Sequence, residues 1–244
     1  MSNPIHSAPK TAIVLAAGLG TRMRPLTDSR PKALIEVMGR PLIDHVLDRL
    51  AAADVTAVIV NLHHFADQLE AHLASRKRPN VIFSDERERL LGTGGGIAKA
   101  LSQLGTAPFF LLNSDSLWLE GATSNLVRLG RAFDAKHMDA LLLLAPAAAT
   151  IGYDGNGDYF TDARGALRRQ LGAEKAPFIY AGAAILSPKL FEGAPEGPFP
   201  LTPLFDRAQE RGRLFGLALE GAFLHVGTPE AVAAAEEAIR RARA

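Results

Sequence analysis

The residues best suited to chemistry stand between positions 12 and 34. Ala12-Ile13-Val14-Leu15-Ala16-Ala17 is an apolar run that breaks at Gly18 and Gly20. Thr21 and Arg22 follow, and beyond the turn marked by Arg30-Pro31 comes Lys32. Glycine carries no Cβ, so backbone N–H groups beside Gly18 and Gly20 can approach an anion closely, while Arg22 and Lys32 neutralise it. A phosphate chain suits this arrangement. The G-x-x-x-x-G-K-[ST] loop cannot be written here, and Met23 stands where a dinucleotide fingerprint needs its third glycine.

A second polar cluster, Asn113-Ser114-Asp115, follows the apolar stretch Phe109–Leu112. An aspartate at a strand end suits a hard cation such as Mg²⁺, which takes one or two carboxylates with phosphate oxygens and water. A lone aspartate there is more often a turn or helix cap, and the phosphate loop upstream is what counts toward the metal. His63-His64 lacks a third ligand at sensible spacing and reads as a strand-end turn. Trp118 is open to two readings, a wall of a ligand pocket or core packing.

These residues need a scaffold, and strand and helix patterns alternate through the first half of the chain. Residues 11–15, 57–60, 81–83, 109–112 and 138–144 read as strands. Residues 42–50, 65–73, 97–104 and 123–133 carry helical spacing, the third launched by glycines. Such alternation predicts an α/β fold: a doubly wound, mostly parallel, Rossmann-like sheet with helices on both faces. In the second half, the turn-rich run 152–159 predicts a hairpin. Strands are expected at 178–186 and 214–219, and helices at 203–209 and 229–243. The expected organisation is a flexible start, residues 1–9, and one domain over 10–244, its second half adding a small β-hairpin lobe.

The chain has 244 residues, 48% hydrophobic and 22% charged, with a formal charge of +1 and no cysteine. That near-neutral charge argues against coating nucleic acid, and the lack of cysteine excludes disulfides and thiolate metal sites. The first residues lack the apolar core of a signal peptide, and no stretch reaches membrane-spanning length, so a cytoplasmic protein is expected.

The G-x-G-T-R-x-x-P run with P-K downstream resembles the sugar-1-phosphate nucleotidyltransferases, which join an NTP to a sugar 1-phosphate and release pyrophosphate. The likeness is nearly complete over 12–34. Weaker matches at 91–97, 111–116, 180–186 and 225–230 follow in the family's order. The resemblance implies that Ala17, Gly18, Gly20, Thr21 and Arg22 bind the nucleotide, and that Arg22, Lys32 and Asp115 carry the chemistry. It implies Mg²⁺ as cofactor (Mn²⁺ as the alternative), with Asp115 as metal ligand. Glu86 to Gly96 resembles the base-reading segment, which makes Thr93, Gly95 and Gly96 base contacts. Asn113, Gly152, Tyr180 and Gly182 fall at sugar-contact positions. Glu174-Lys175 resembles an E-K-P motif lacking its proline, and a solvated pair explains it equally well.

One departure stands out. The resemblance implies a second metal aspartate, which most of the family carry in W-x-D-x-G-T-P-E, whereas this chain reads Phe223-Leu224-His225-Val226-Gly227-Thr228-Pro229-Glu230. Imidazole is a poor Mg²⁺ ligand. His225 therefore ligates a softer metal, or hydrogen-bonds a phosphate or a metal-bound water, or leaves Asp115 to hold Mg²⁺ with substrate oxygens. The last two are favoured jointly. Within the family, the T-G-G-G-I and V-G-T-P-E segments resemble the uridylyltransferases acting on N-acetylmuramate 1-phosphate in peptidoglycan recycling. Mannose-1-phosphate guanylyltransferases come second, and an inactive nucleotide-sugar-binding regulatory protein is the rival from another class. The expected partners are an NTP and a sugar 1-phosphate, with no nucleic acid and no membrane, in a monomer or small homo-oligomer.

Overall fold

The computed structural model describes residues 8–243; the expected flexible start falls, for residues 1–7, outside them. Strand β1 (Thr11–Leu15) is apolar after Thr11 and sits mid-sheet, covered on both faces. It pairs in parallel with β4 (Ala57–Leu62) on one side and β6 (Phe109–Asn113) on the other, and β5 (Asn80–Asp85) extends the parallel edge. Strand β11 (Phe178–Leu186) runs antiparallel between β6 and β8 (Ala140–Pro146), and β12 (Leu214–Ala218) lies parallel to β8. The sheet is therefore mixed but mostly parallel, as the sequence predicts.

Side chains alternate across it. Ala12 and Val14 pack with Val46, Leu47 and Leu50 of α1 (Leu42–Ala52), Leu69 of α2 (Ala66–Leu73) and Leu129 of α4 (Asn125–Ala132). Ile13 points the other way, onto Ile97 and Ala100 of α3 (Gly92–Leu104) and Phe205 of α5 (Thr202–Glu210). A third cluster packs Ala235 and Ile239 of α6 (Pro229–Arg243) on Met23, Leu42 and Leu224; the short ribbon β2 (Glu36–Val37) and β3 (Arg40–Pro41) adds Val37.

Three elements differ from the sequence expectation. Helix α3 begins at Gly92, not Ile97, because Phe199 and Gly197 press on its first turn: a Cβ on Gly94 or Gly95 would collide with them. The N–H groups of Gly94 and Gly95 donate to Phe199 O, at 2.9 and 3.1 Å, which satisfies helix-start donors despite poor helix propensity. The hairpin lies later than expected, as β9 (Tyr159–Thr161) and β10 (Leu167–Arg169), because Asp162 Oδ1 accepts from Arg164 N and Ala166 N and makes the turn there. Residues 152–158 are a loop in which Tyr153 Oη accepts from Gly157 N. A further antiparallel pair, β7 (Ser116–Glu120) with β13 (Gly221–His225), brings the chain's far end back beside Asp115.

Candidate active site

The parallel register sets Leu15 of β1 opposite Asn113 of β6, so the two polar clusters emerge at one edge of the sheet. Ser114 N donates to Leu15 O at 3.1 Å and holds them together. After β1 the chain turns at Gly20 with φ 63°, a conformation that favours glycine, and Thr21–Met23 form a single 3₁₀ turn. Thr27 Oγ1 donates to Gly20 O at 2.9 Å, and buried Met23 anchors the turn in the third apolar cluster. Pro31 starts a second 3₁₀ turn that carries Lys32. The Lys32 ammonium donates to Asp115 Oδ2, and both side chains are largely shielded.

Two cavities, each of about 410 Å³, adjoin here and share Leu15, Thr93 and Asn113. Ala17, Gly18, Gly20, Thr21, Arg22, Lys32 and Asp115 all line the first. Tyr180 lines the second with Asp158, Arg169, Gln170 and Phe205. Burial raises the pKa of the Tyr180 hydroxyl, which has no hydrogen-bond partner among the described residues. Burial also raises Asp158, whose Oδ2 accepts from Tyr180 N at 2.8 Å. Arg169 donates to both carboxylate oxygens of Asp206, at 2.6 and 2.8 Å.

The β7–β13 register places His225 opposite Ser116, one residue from Asp115. Burial holds its pKa below the ordinary histidine value, opposed by Asp115 and reinforced by Arg22 and Lys32. Its ring packs edge-on to Tyr153 and folds over Gly227, where a Cβ would come within 2.7 Å of Nε2. Among the described residues no three histidine, aspartate or glutamate side chains are grouped to hold a metal. Asp115 is the carboxylate on the first cavity's wall.

Other expected contacts lie outside both cavities. Gly95 and Gly96 sit within α3, where lack of a Cβ admits Gly197 and Glu86. Gly152 packs against the backbone of His225, and Gly182 at the β11 bulge receives Ser116 Oγ, which donates to its carbonyl at 2.8 Å. Trp118 is core: it is 1% exposed, with the Arg49 guanidinium 4.5 Å above its ring. Sequence reasoning missed Asn61, next to last in β4, and took Glu86, the residue after β5, only as the start of a segment; both are buried. An asparagine inside the otherwise apolar strand Ala57–Leu62 was the available signal for Asn61.

Fold and site define a nucleotidyltransferase: loop, adjoining cavities and carboxylate sit together at the carboxyl ends of parallel strands. The MobA-like NTP transferase domain matches residues 12–151, and the chain belongs to that family. It is 48% identical over 242 residues to the N-acetylmuramate alpha-1-phosphate uridylyltransferase of Caulobacter vibrioides, covering 98% of this chain and all of that one. The protein of the same name from Neisseria meningitidis serogroup B is 33% identical, over 89% of this chain and 93% of that one. A solved UDP-glucose pyrophosphorylase with UDP-glucose bound superposes with TM-score 0.76 at 18% identity, covering 96% and 99% of the two chains. No helix among the described residues is long and apolar enough to cross a membrane.

Proposed function

We propose that the protein joins UTP to N-acetylmuramate 1-phosphate, yielding the UDP-sugar and pyrophosphate. One observation carries the site: the two cavities meet at Asn113, with Arg22, Lys32 and Asp115 all on the wall of the first. The near-full-length likeness to uridylyltransferases of that name carries the choice of substrates. The triphosphate lies along the Gly18–Thr21 loop in the first cavity, and the sugar in the second beside Tyr180 and Asp158. Gly92 and Thr93, at the start of α3, face the nucleotide between them.

A phosphate oxygen of the sugar 1-phosphate attacks the α-phosphorus in line, and pyrophosphate departs. The nucleophile is already an anion, so no base has to remove a proton. What remains for the protein is alignment and charge neutralisation. Lys32 meets the α-phosphoryl group, Arg22 and loop amides the β- and γ-phosphates. A hard oxygen donor at the cavity wall fits Mg²⁺, so Asp115 would hold that ion with substrate oxygens and water. Bound there, Mg²⁺ would neutralise phosphate charge. His225, whose pKa burial lowers, would hydrogen-bond a phosphate or a metal-bound water.

The test is a matrix of the four NTPs against sugar 1-phosphates, read by pyrophosphate release. Release with UTP and N-acetylmuramate 1-phosphate should exceed every other pair. Preference for GTP with mannose 1-phosphate would overturn the substrate assignment and leave the site reading standing.

A further inference from the structure

Glu86 is a carboxylate buried to 2% exposure with no cationic partner among the described residues, and the reaction above does not use it. Its two oxygens accept from different sides: Oε1 from Asn61 Nδ2 at 2.7 Å, Oε2 from Leu91 N at 3.0 Å. Asn61, also 2% exposed, turns its Oδ1 the other way and accepts from Ala16 N and Ala17 N, at 2.7 and 3.3 Å. A continuous relay thus runs from the phosphate loop's first amides, through two side chains, to the residue before α3. Gly96 makes room for it: a Cβ there would fall 2.7 Å from Glu86 Oε1 and 2.9 Å from Asn61 Nδ2.

Each residue type is dictated by its neighbours. Position 86 must accept at both ends, which a carboxylate does and a glutamine amide does not. Position 61 must accept toward the loop and donate toward Glu86, which is what an asparagine amide offers. The same four hydrogen bonds could be made with the residue types exchanged, aspartate at 61 and glutamine at 86. The exchange would move the negative charge from Glu86, outside the cavity lining, to position 61, which lines the first cavity with Arg22 and Lys32.

We infer that Asn61 and Glu86 are a positioning pair that fixes the phosphate loop against α3 for nucleotide binding. Their order keeps the buried charge away from the triphosphate. The inference rests on the first cavity holding the NTP.

The experiment compares wild type, Glu86→Gln, Asn61→Asp and the double exchange. It reads thermal midpoints, binding of Mg²⁺–UTP, and KM for each substrate. Glu86→Gln sets two donors face to face at one end and should lower the midpoint and weaken UTP binding about tenfold or more, leaving the sugar-phosphate KM within about twofold. Asn61→Asp opposes two carboxylates and should do worse. The double exchange restores every hydrogen bond, so its midpoint should return near wild type while UTP binding stays about tenfold or more weaker. A double variant that binds UTP as wild type does would reduce the pair to a structural tie and overturn the inference. Failure of the double variant to regain stability would overturn the relay itself. Wild type that binds no UTP, with stability restored in the double variant, would instead sink the nucleotide assignment.

Discussion

Lys32 and Asp115 form an ion pair that joins the 3₁₀ turn after Pro31 to the segment just beyond β6, across 83 residues of chain. The pair places the site's cation and its hard oxygen donor within contact at the cavity wall. A metal ion held by Asp115 would compete with the Lys32 ammonium for that carboxylate, and a Lys32 freed from it would be available to the phosphates. The two residues are thus alternative partners, and their variants separate the two roles.

Lys32→Ala should lower kcat by about 10²–10³, or 3–4 kcal/mol, the usual cost of one electrostatic group acting on developing charge. UTP binding should change much less, because the interaction strengthens in the transition state. Steady-state kinetics beside equilibrium binding decides this. Near-wild-type kcat would remove Lys32 from the chemistry.

Asp115→Asn keeps the shape and removes the charge. Activity should fall to background at every Mg²⁺ concentration, with the thermal midpoint within a few degrees of wild type. A variant that unfolds would make Asp115 a structural cap, as a strand-end aspartate often is.

The loop was legible because its evidence is local: an apolar strand, two glycines, then cations within a short run. The same holds for β1, whose continuous apolar pattern announces a strand buried on both faces. What escaped is non-local. The pairing of β7 with β13 brings together residues about a hundred positions apart, and nothing in either stretch names its partner. Glycine propensity misplaced the start of α3, since Phe199 and Gly197 decide that turn from elsewhere in the chain. Asn61 and Glu86 look like ordinary polar residues until the ends of β4 and β5 are set side by side.

His45 gives a stability prediction away from the site. Its Nε2 donates to Val37 O at 3.0 Å, and burial, aided by Arg49 and Arg40, holds its pKa below the ordinary value. The unfolded chain then binds the proton more readily, so stability is lost as pH falls below about 6.5. His45→Gln keeps a donor without titrating. Its midpoint should therefore fall less than wild type's between neutral pH and pH 5, and parallel curves would exclude the effect.

Tyr180 separates packing from recognition. Its hydroxyl is buried without a partner among the described residues, so Tyr180→Phe should leave stability unchanged or raise it by about 1 kcal/mol. If the hydroxyl meets the sugar, KM for the sugar 1-phosphate should rise several-fold with the UTP KM unchanged. An unchanged sugar KM would assign Tyr180 to the wall alone.

His225 stands where the sequence resemblance leads one to expect a second metal aspartate. With Asp115 the carboxylate at hand, Mg²⁺ binding should be weak without nucleotide and tighten when UTP supplies its oxygens. His225→Asp would add a second carboxylate opposite Ser116 and beside Asp115, strengthening nucleotide-free Mg²⁺ binding by about tenfold or more. A histidine that ligates directly would instead make Mn²⁺ the better activator, since imidazole suits the softer ion. Calorimetric titration of both ions into wild type and His225→Asp, with and without UTP, distinguishes these cases. Tight Mg²⁺ binding by nucleotide-free wild type would show that the site is complete without substrate, and that Asp115 does not work alone.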